Sequence, residues 1–243
     1  MRRPLGQHFL SDPKILGRIV DALDPVVGET VLEIGPGRGS LTRVLLERGL
    51  QVIAIEKDRR LAAALVGATV IQGDALRVEW PRVGTIVGNI PYYITSPLLA
   101  KALTPPLPER VVFLVQAEVA DRLVASPGGK TYGALSVGVQ AVTRVEKLFN
   151  VAPGAFRPPP KVRSAVIRLT PLQEPLVLPE EVAPFRVFVT ACFGKRRKQL
   201  KNAVPGLNEA DLVSLGVDPE LRPERLAPEV FVRLFREANR RSG

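Results

Sequence analysis

The sequence predicts an α/β protein, a doubly wound sheet with a small helical domain at its C-terminal end. Three observations lead there. Short apolar runs alternate with segments of helical periodicity through the first part of the 243-residue chain, the pattern of strands joined by crossover helices. Gly35, Glu56, Asp74 and Asn89 each fall at or just after the end of successive apolar runs, and ligands in such folds lie at the carboxyl ends of strands. After the proline-rich stretch Pro171 to Pro184 only helical spacing recurs.

Taken in order, Ser11-Asp12-Pro13 opens a helix, with Pro13 in its first turn and Ile15, Leu16, Ile19, Val20 and Leu23 at helical spacing. Thr30 to Ile34 is a strand that runs into Gly35-Pro36-Gly37-Arg38-Gly39, and Leu41 to Arg48 is the helix beyond it. Gln51 to Glu56 is a second strand; Asp58 caps the next helix, which reaches about Val66. Ala68 to Gln72 and Thr85 to Val87 are the third and fourth strands, closed by Gly73-Asp74 and by Asn89-Ile90-Pro91-Tyr92. Ser96-Pro97 starts a helix to about Leu103, Arg110 to Val115 is the fifth strand, and Glu118 to Ala125 is helical. Ser126 to Lys130 is a turn-rich loop, and Val142 to Val151 and Ser164 to Leu169 are β-rich. Helices are expected over Val182–Phe193, Arg196–Val204, Asn208–Leu215 and Pro228–Asn239. The proline-rich stretch reads as a linker, so the expected domains are residues 1–171 and 172–243.

Composition narrows the chemistry. A formal net charge of +10 favours a polyanionic partner, nucleic acid first. The single cysteine, Cys192, excludes a disulfide framework and reads as a small apolar residue. With His8 as the only histidine, a histidine-based zinc site or catalytic triad is excluded and no metal is expected. No apolar run approaches a membrane span, and the first residues carry no apolar signal segment, which points to a cytoplasmic protein.

The most informative residues are Asn89-Ile90-Pro91-Tyr92. A carboxamide oxygen and the peptide carbonyl beside a proline can together accept both hydrogens of an exocyclic amine. The proline stiffens the turn, and the tyrosine offers a face for a planar base. This set suits chemistry on the amino group of a nucleobase; a strand-to-helix turn in which Asn caps and Tyr packs is the structural alternative. The Gly35 to Gly39 turn lets backbone approach a ligand. Its spacing departs from the dinucleotide fingerprint, with Ser40 where the last glycine belongs, which disfavours nicotinamide. Glu33 suits a ligand carrying an ammonium group, Glu56 can accept from both ribose hydroxyls, and Asp74 can accept from an adenine amine.

Together with Gly6-Gln7-His8-Phe9-Leu10, Lys130-Thr131-Tyr132-Gly133, Phe156-Arg157-Pro158-Pro159-Pro160-Lys161-Val162 and Phe193 to Asn202, these motifs resemble the ribosomal RNA adenine dimethyltransferases in order and over nearly the whole chain. The resemblance is nearest to the bacterial branch that dimethylates two adjacent adenines near the 3′ end of small-subunit (16S) ribosomal RNA. It implies a Rossmann-like methyltransferase fold, S-adenosylmethionine as donor, and a donor site lined by His8, Leu10, Gly35, Gly37, Glu56, Asp74, Ala75 and Asn89. The family commonly has Asn where this chain has His8.

The expected reaction is direct transfer of a methyl group to adenine N6. The Asn89 oxygen and the Ile90 or Pro91 carbonyl bind the amine, Tyr92 stacks on the base, and Phe156 covers its other face. Such a base must leave its stack. Arg38, Lys130, Arg157, Lys161, Lys195, Arg196, Arg197, Lys198 and Lys201 are the expected phosphate contacts, with Arg197 and Lys201 sharing a helix face. The chain is expected to work as a monomer. The competing readings are a large-subunit rRNA methyltransferase conferring antibiotic resistance, a non-catalytic RNA-binding assembly factor, a nicotinamide oxidoreductase and a DNA amino-methyltransferase.

Overall fold

The structure is a computed structural model and describes residues 8–242. Gly6 and Gln7 of the first motif, and the N-terminal residues read for a signal segment, lie outside them. In chain order the elements are β1 (Phe9–Leu10), α1 (Pro13–Asp21), β2 (Thr30–Ile34), α2 (Ser40–Glu47), β3 (Gln51–Glu56), α3 (Arg59–Ala64), β4 (Thr69–Gln72) and β5 (Thr85–Asn89). Then come α4 (Thr95–Ala102), β6 (Arg110–Gln116), α5 (Ala117–Leu123), α6 (Ala134–Gln140), β7 (Thr143–Val151), β8 (Phe156–Arg157) and β9 (Ser164–Pro171). The last are α7 (Val182–Gly194), α8 (Leu200–Ala203), α9 (Glu209–Ser214) and α10 (Pro228–Ser242).

Local chemistry explains the starts. Asp12 Oδ1 accepts from the amides of Lys14 (2.9 Å) and Ile15 (3.2 Å) at the head of α1. Asp58 does the same for Arg60 (2.8 Å) and Leu61 (3.3 Å) at the head of α3, as expected. Each such cap stabilises its helix by about 1 kcal/mol.

The main sheet has the order β4-β3-β2-β5-β6-β9-β7. From β4 to β6 neighbouring strands are parallel, and β9 returns antiparallel to β6. The chain moves outward through β2, β3 and β4, then comes back to lay β5 beside β2. This reversal opens a crevice at the carboxyl ends of β2 and β5, where such folds bind ligands. Register keeps the ends level: Ile34 lies opposite Ile55 and Gly88, Glu56 opposite Gln72, and Asn89 opposite Leu114. Gly88 permits the close approach of β5 to β2, because a Cβ there would sit 2.6 Å from the Ile34 carbonyl oxygen.

Strands covered on both faces read as unbroken apolar runs, and Val111 to Val115 are all buried. Leu16, Ile19 and Val20 of α1, with Leu23 just beyond it, join Val31, Val52, Val87 and Val112 in one cluster. Phe156 belongs to that cluster and is 1% exposed.

The chain forms two compact units. One takes in the chain up to Leu103 with Leu107–Ala120 and Glu146–Thr170; the other holds Thr104–Pro106, Asp121–Val145 and everything from Pro171 onward. The expected break between residues 171 and 172 lies one residue from the division at Thr170 and Pro171, and the helical unit also holds two segments from the middle of the chain. Within that unit the reason is packing. Tyr132, fully buried, donates its hydroxyl to the Leu226 carbonyl at 2.9 Å, and Val137 and Val139 are buried. Phe185 meets Phe235 edge-on at 5.6 Å. Cys192 is buried there, and burial pushes its thiol up to about 12.

Two expected elements differ. The stretch read as a linker contains a 3-10 turn at Pro179–Glu181, while α7 begins at Val182, where a helix was expected. The helix expected over Arg196–Val204 shrinks to Leu200–Ala203. Lys195, Arg196 and Lys198 instead close tight turns onto carbonyls three residues back, at 3.2, 3.2 and 2.8 Å. Arg197 thus lies outside any helix and shares no helix face with Lys201. Within these turns Arg196 lies 3.7 Å from Glu224 and donates to the Lys130 carbonyl at 3.2 Å. Among the described residues no helix is long and apolar enough to cross a membrane.

Candidate active site

At the carboxyl edge of the sheet, one cavity gathers His8, Leu10, Gly35, Gly37, Arg38, Glu56, Asp74, Ala75, Asn89, Pro91 and Tyr92, residues spread over more than eighty positions of sequence. Its floor is the turn after β2. Gly35, Gly37 and Gly39 adopt left-handed φ angles of 69°, 59° and 75°. At Gly37 the demand is double, because a Cβ would also approach the Phe9 ring to 2.9 Å.

Three carboxylates define the electrostatics. Glu56 is buried at the end of β3, where its oxygens accept from the amides of Gly37 (3.0 Å) and Asp58 (2.8 Å). Each oxygen keeps a further lone pair for a ligand hydroxyl. Asp74 accepts from the Leu76 amide at 3.0 Å and from Lys57 Nζ at 2.8 Å. The Lys57 ammonium, then the Leu76 amide, hold the Asp74 carboxyl below the usual carboxylate range. Glu33, 1% exposed at the back of the cavity, accepts from Thr42 Oγ1 at 2.7 Å. Burial pushes its carboxyl up to about 7, against the pull of the Thr42 bond and with a push from the Glu56 charge.

The opposite wall is the Asn89 box. Asn89 Nδ2 donates to the His8 carbonyl at 3.0 Å. Its Oδ1 takes no hydrogen bond among the described residues. The Ile90 amide donates to the Leu114 carbonyl at 3.0 Å, which ties the box to β6. The Pro91 carbonyl is already used, by the Ile94 amide at 3.1 Å and Thr95 Oγ1 at 3.4 Å. The Ile90 carbonyl takes no hydrogen bond among the described residues, and of the two expected acceptors it is the open one. The Tyr92 hydroxyl shares a hydrogen bond with Ser164 Oγ at 2.8 Å, so the ring is held at its far end. Together the box offers two open oxygens beside an anchored aromatic face.

Phe156 requires a correction. It does not line the cavity, and at 1% exposed within the core cluster it has no free face for a base. The residue two positions further on takes part instead, through its backbone: His8 Nδ1 bonds the Pro158 carbonyl at 2.8 Å. The ring that faces Tyr92 is that of His8, at 6.1 Å between centroids and 27° between planes.

The expected phosphate contacts divide. Arg38 and Arg157 are exposed, Arg38 lying 4.8 Å over the Phe9 ring and Arg157 turning back on the Gly154 and Phe156 carbonyls at 3.2 Å each. Lys161, Lys130, Lys195, Arg197 and Lys198 are exposed. Lys201 lies between Glu209 (3.7 Å) and Glu220 (3.8 Å), so its charge is matched within the helical unit. Sequence reasoning missed Thr42, Lys57 and Tyr93. Thr42 is buried on the apolar face of α2, Lys57 directly follows Glu56, and Tyr93 is 64% exposed at the cavity lining. Among the described residues no group of three or more His, Cys, Asp or Glu is placed to hold a metal ion.

The model of the family "Ribosomal RNA adenine dimethylase" matches residues 1–240. The Ribosomal RNA small subunit methyltransferase A of Hahella chejuensis is 42% identical over 248 residues, which covers 96% of this chain and 91% of the relative. That of Aromatoleum aromaticum is 44% identical over 242 residues, covering 95% and 91%. Among solved structures, a dimethyladenosine transferase from Plasmodium falciparum superposes with a TM-score of 0.85 at 29% identity, covering 97% of this chain and 98% of the other. The 23S rRNA methyltransferase ErmE gives a TM-score of 0.68 at 30% identity, covering 95% and 99%.

Proposed function

The chain belongs to the ribosomal RNA adenine dimethylase family, and from that premise we propose that it transfers methyl groups from S-adenosylmethionine to N6 of two adjacent adenines near the 3′ end of 16S rRNA. The observation that carries the reading is the Asn89 box, with its two open oxygens and anchored ring at the rim of an acid-lined cavity. The small-subunit assignment draws on the relatives named for the small subunit and on the higher TM-score of the dimethyladenosine transferase, 0.85, than of the large-subunit enzyme, 0.68. The work would be done in the cytoplasm, where ribosomal subunits are assembled.

The donor set fits S-adenosylmethionine. Glu56 would hold the ribose hydroxyls, Asp74 the adenine amine beside Ala75, and Glu33 would lend negative charge to the ammonium group. Leu10, Gly35 and Gly37 would wall the ligand. The donor supplies a sulfonium methyl that is already electrophilic. The chain's own task is to place and prepare the amine. The lone pair of adenine N6 is delocalised into the ring. Hydrogen bonds from N6 to Asn89 Oδ1 and the Ile90 carbonyl would favour a tetrahedral nitrogen, and the same oxygens would stabilise the positive charge that develops there. Tyr92 would stack on the base; with Phe156 in the core, the base is left with one aromatic face from this box. Lys130, Lys195, Arg197 and Lys198 of the helical unit and Arg38, Arg157 and Lys161 of the sheet unit are the proposed phosphate contacts.

Labelled methyl transfer to unmethylated small subunits, beside large subunits and duplex DNA, tests this. Dimethyladenosine from small subunits alone, lost in Asn89→Ala, is the expected result. Transfer to large subunits instead would move the assignment to the ErmE-like activity. Donor binding without transfer to any substrate would leave an RNA-binding protein.

A further inference from the structure

A carboxamide has two unlike ends, and only one of them serves this chemistry. Asn89 Oδ1 turned toward the amine would draw its hydrogens and free its lone pair. The Nδ2 end in the same place would donate to that lone pair and block attack. What decides between them is a backbone atom of another element. Nδ2 lies 3.0 Å from the His8 carbonyl oxygen, a pure acceptor, which identifies the nitrogen end and turns Oδ1 away from it.

His8 is itself held on several sides. Phe9 pairs with Arg157 and Leu10 with Phe156 in a two-residue antiparallel ladder. The Ser11 amide donates to the Ala155 carbonyl at 2.9 Å. The imidazole Nδ1–H donates to the Pro158 carbonyl at 2.8 Å, since a carbonyl can only accept. The same imidazole lies along Tyr92 at 6.1 Å and 27°. One residue therefore touches both side chains that address the target base.

We infer that His8 is a positioning residue for methyl transfer, acting through Asn89 and Tyr92, and that its ring, pinned to Pro158, keeps its carbonyl where it orients the Asn89 amide. The inference rests on the transfer reaction proposed above. It differs from the role that the family resemblance implies for this position, direct contact with the donor.

His8→Ala removes the ring and its bond to Pro158 but leaves the carbonyl on a loosened strap. A misplacement of about 1 Å costs on the order of a hundredfold in rate. The single-turnover transfer rate at saturating donor should accordingly fall by roughly ten- to a hundredfold, while the Kd for S-adenosylhomocysteine by calorimetry stays within about threefold. His8→Asn can still donate to the Pro158 carbonyl and should recover most of the rate. His8→Phe keeps a ring against Tyr92 without the bond and should recover less. A readout independent of turnover is hydrogen exchange of the Asn89 side-chain amide, followed by 15N NMR and assigned through its loss in Asn89→Ala. It should quicken by about tenfold in His8→Ala and stay slow in His8→Asn. If His8→Ala fails to fold, the Asn and Phe variants carry the same comparison. A weakened Kd with an unchanged saturated rate would assign His8 to the donor and overturn the proposal, as would unaltered amide exchange. If the wild type methylates no RNA, the functional reading fails, while the exchange measurement still decides whether His8 orients Asn89.

Discussion

Glu33 is the most exacting place to test the electrostatics of the cavity. It is a carboxyl 1% exposed at the end of β2, with the Thr42 hydroxyl 2.7 Å away. Burial raises it from 4.5 to about 7. The folded chain therefore holds a proton that the unfolded chain has released between those two values. Stability from this group is fully present below pH 4.5 and is lost as the pH rises through about 7. A rise of that size corresponds to roughly 3 kcal/mol. Glu33→Gln keeps an oxygen for Thr42 and never ionises. In the ligand-free protein the two chains should be equally stable at pH 4.5. By about pH 8 the Gln variant should lead by roughly 3 kcal/mol, a Tm difference of about 6–12 °C for a chain of this size. Urea unfolding of both proteins across the range measures it, and groups that titrate alike in both cancel in the difference. Curves that stay parallel to within about 0.5 kcal/mol would refute the assignment of the raised carboxyl to Glu33. An ammonium-bearing ligand favours the ionised carboxylate, so S-adenosylhomocysteine should bind the wild type more tightly as the pH rises toward 8, and Glu33→Gln should lose that trend.

Three further outcomes are expected. Gly88→Ala brings a Cβ to 2.6 Å from the Ile34 carbonyl oxygen and should destabilise the sheet unit by about 1–3 kcal/mol, read as a lower urea midpoint at constant slope. Phe156→Ala should cost about 3–5 kcal/mol of stability, whereas Phe156→Leu, which refills the core, should retain methyl transfer; selective loss of RNA binding in a stable Leu variant would restore Phe156 to the base pocket. Replacing Lys195, Arg197 and Lys198 by Ala should flatten the dependence of log K for RNA on log salt by about 0.7–0.9 for each phosphate left without its cation, while Lys201→Ala, whose ammonium already sits between Glu209 and Glu220, should leave the slope unchanged.

Much of this protein is legible in its residues. The alternation of Val- and Ile-rich runs with capped amphipathic segments determined the α/β class, because side-chain periodicity and caps are local properties. Asp12 and Asp58 sit at the helix starts that they mark. The glycine turn, Glu56, Asp74 and the Asn89 box were readable because each lies at or just after the end of a strand, and parallel register carries strand ends to one edge. The charge of +10 pointed to a polyanionic partner, nucleic acid first, for a similarly simple reason, since it is a sum over the chain.

Contacts between distant segments were not legible. The ladder of β1 with β8 joins two-residue strands about 150 positions apart, too short for any periodicity to register. Without it, neither the His8 carbonyl on Asn89 nor the burial of Phe156 can be inferred. Nor does the sequence disclose that Lys57 holds Asp74, that Lys201 is matched by two carboxylates, or that the segment around Tyr132 packs into the helical unit. A residue's type limits what it can do, and that much is local. Whether Phe156 meets a base or a core, and which end of the Asn89 amide faces the cavity, depends on which distant surfaces are packed against it, and only the folded chain sets those distances.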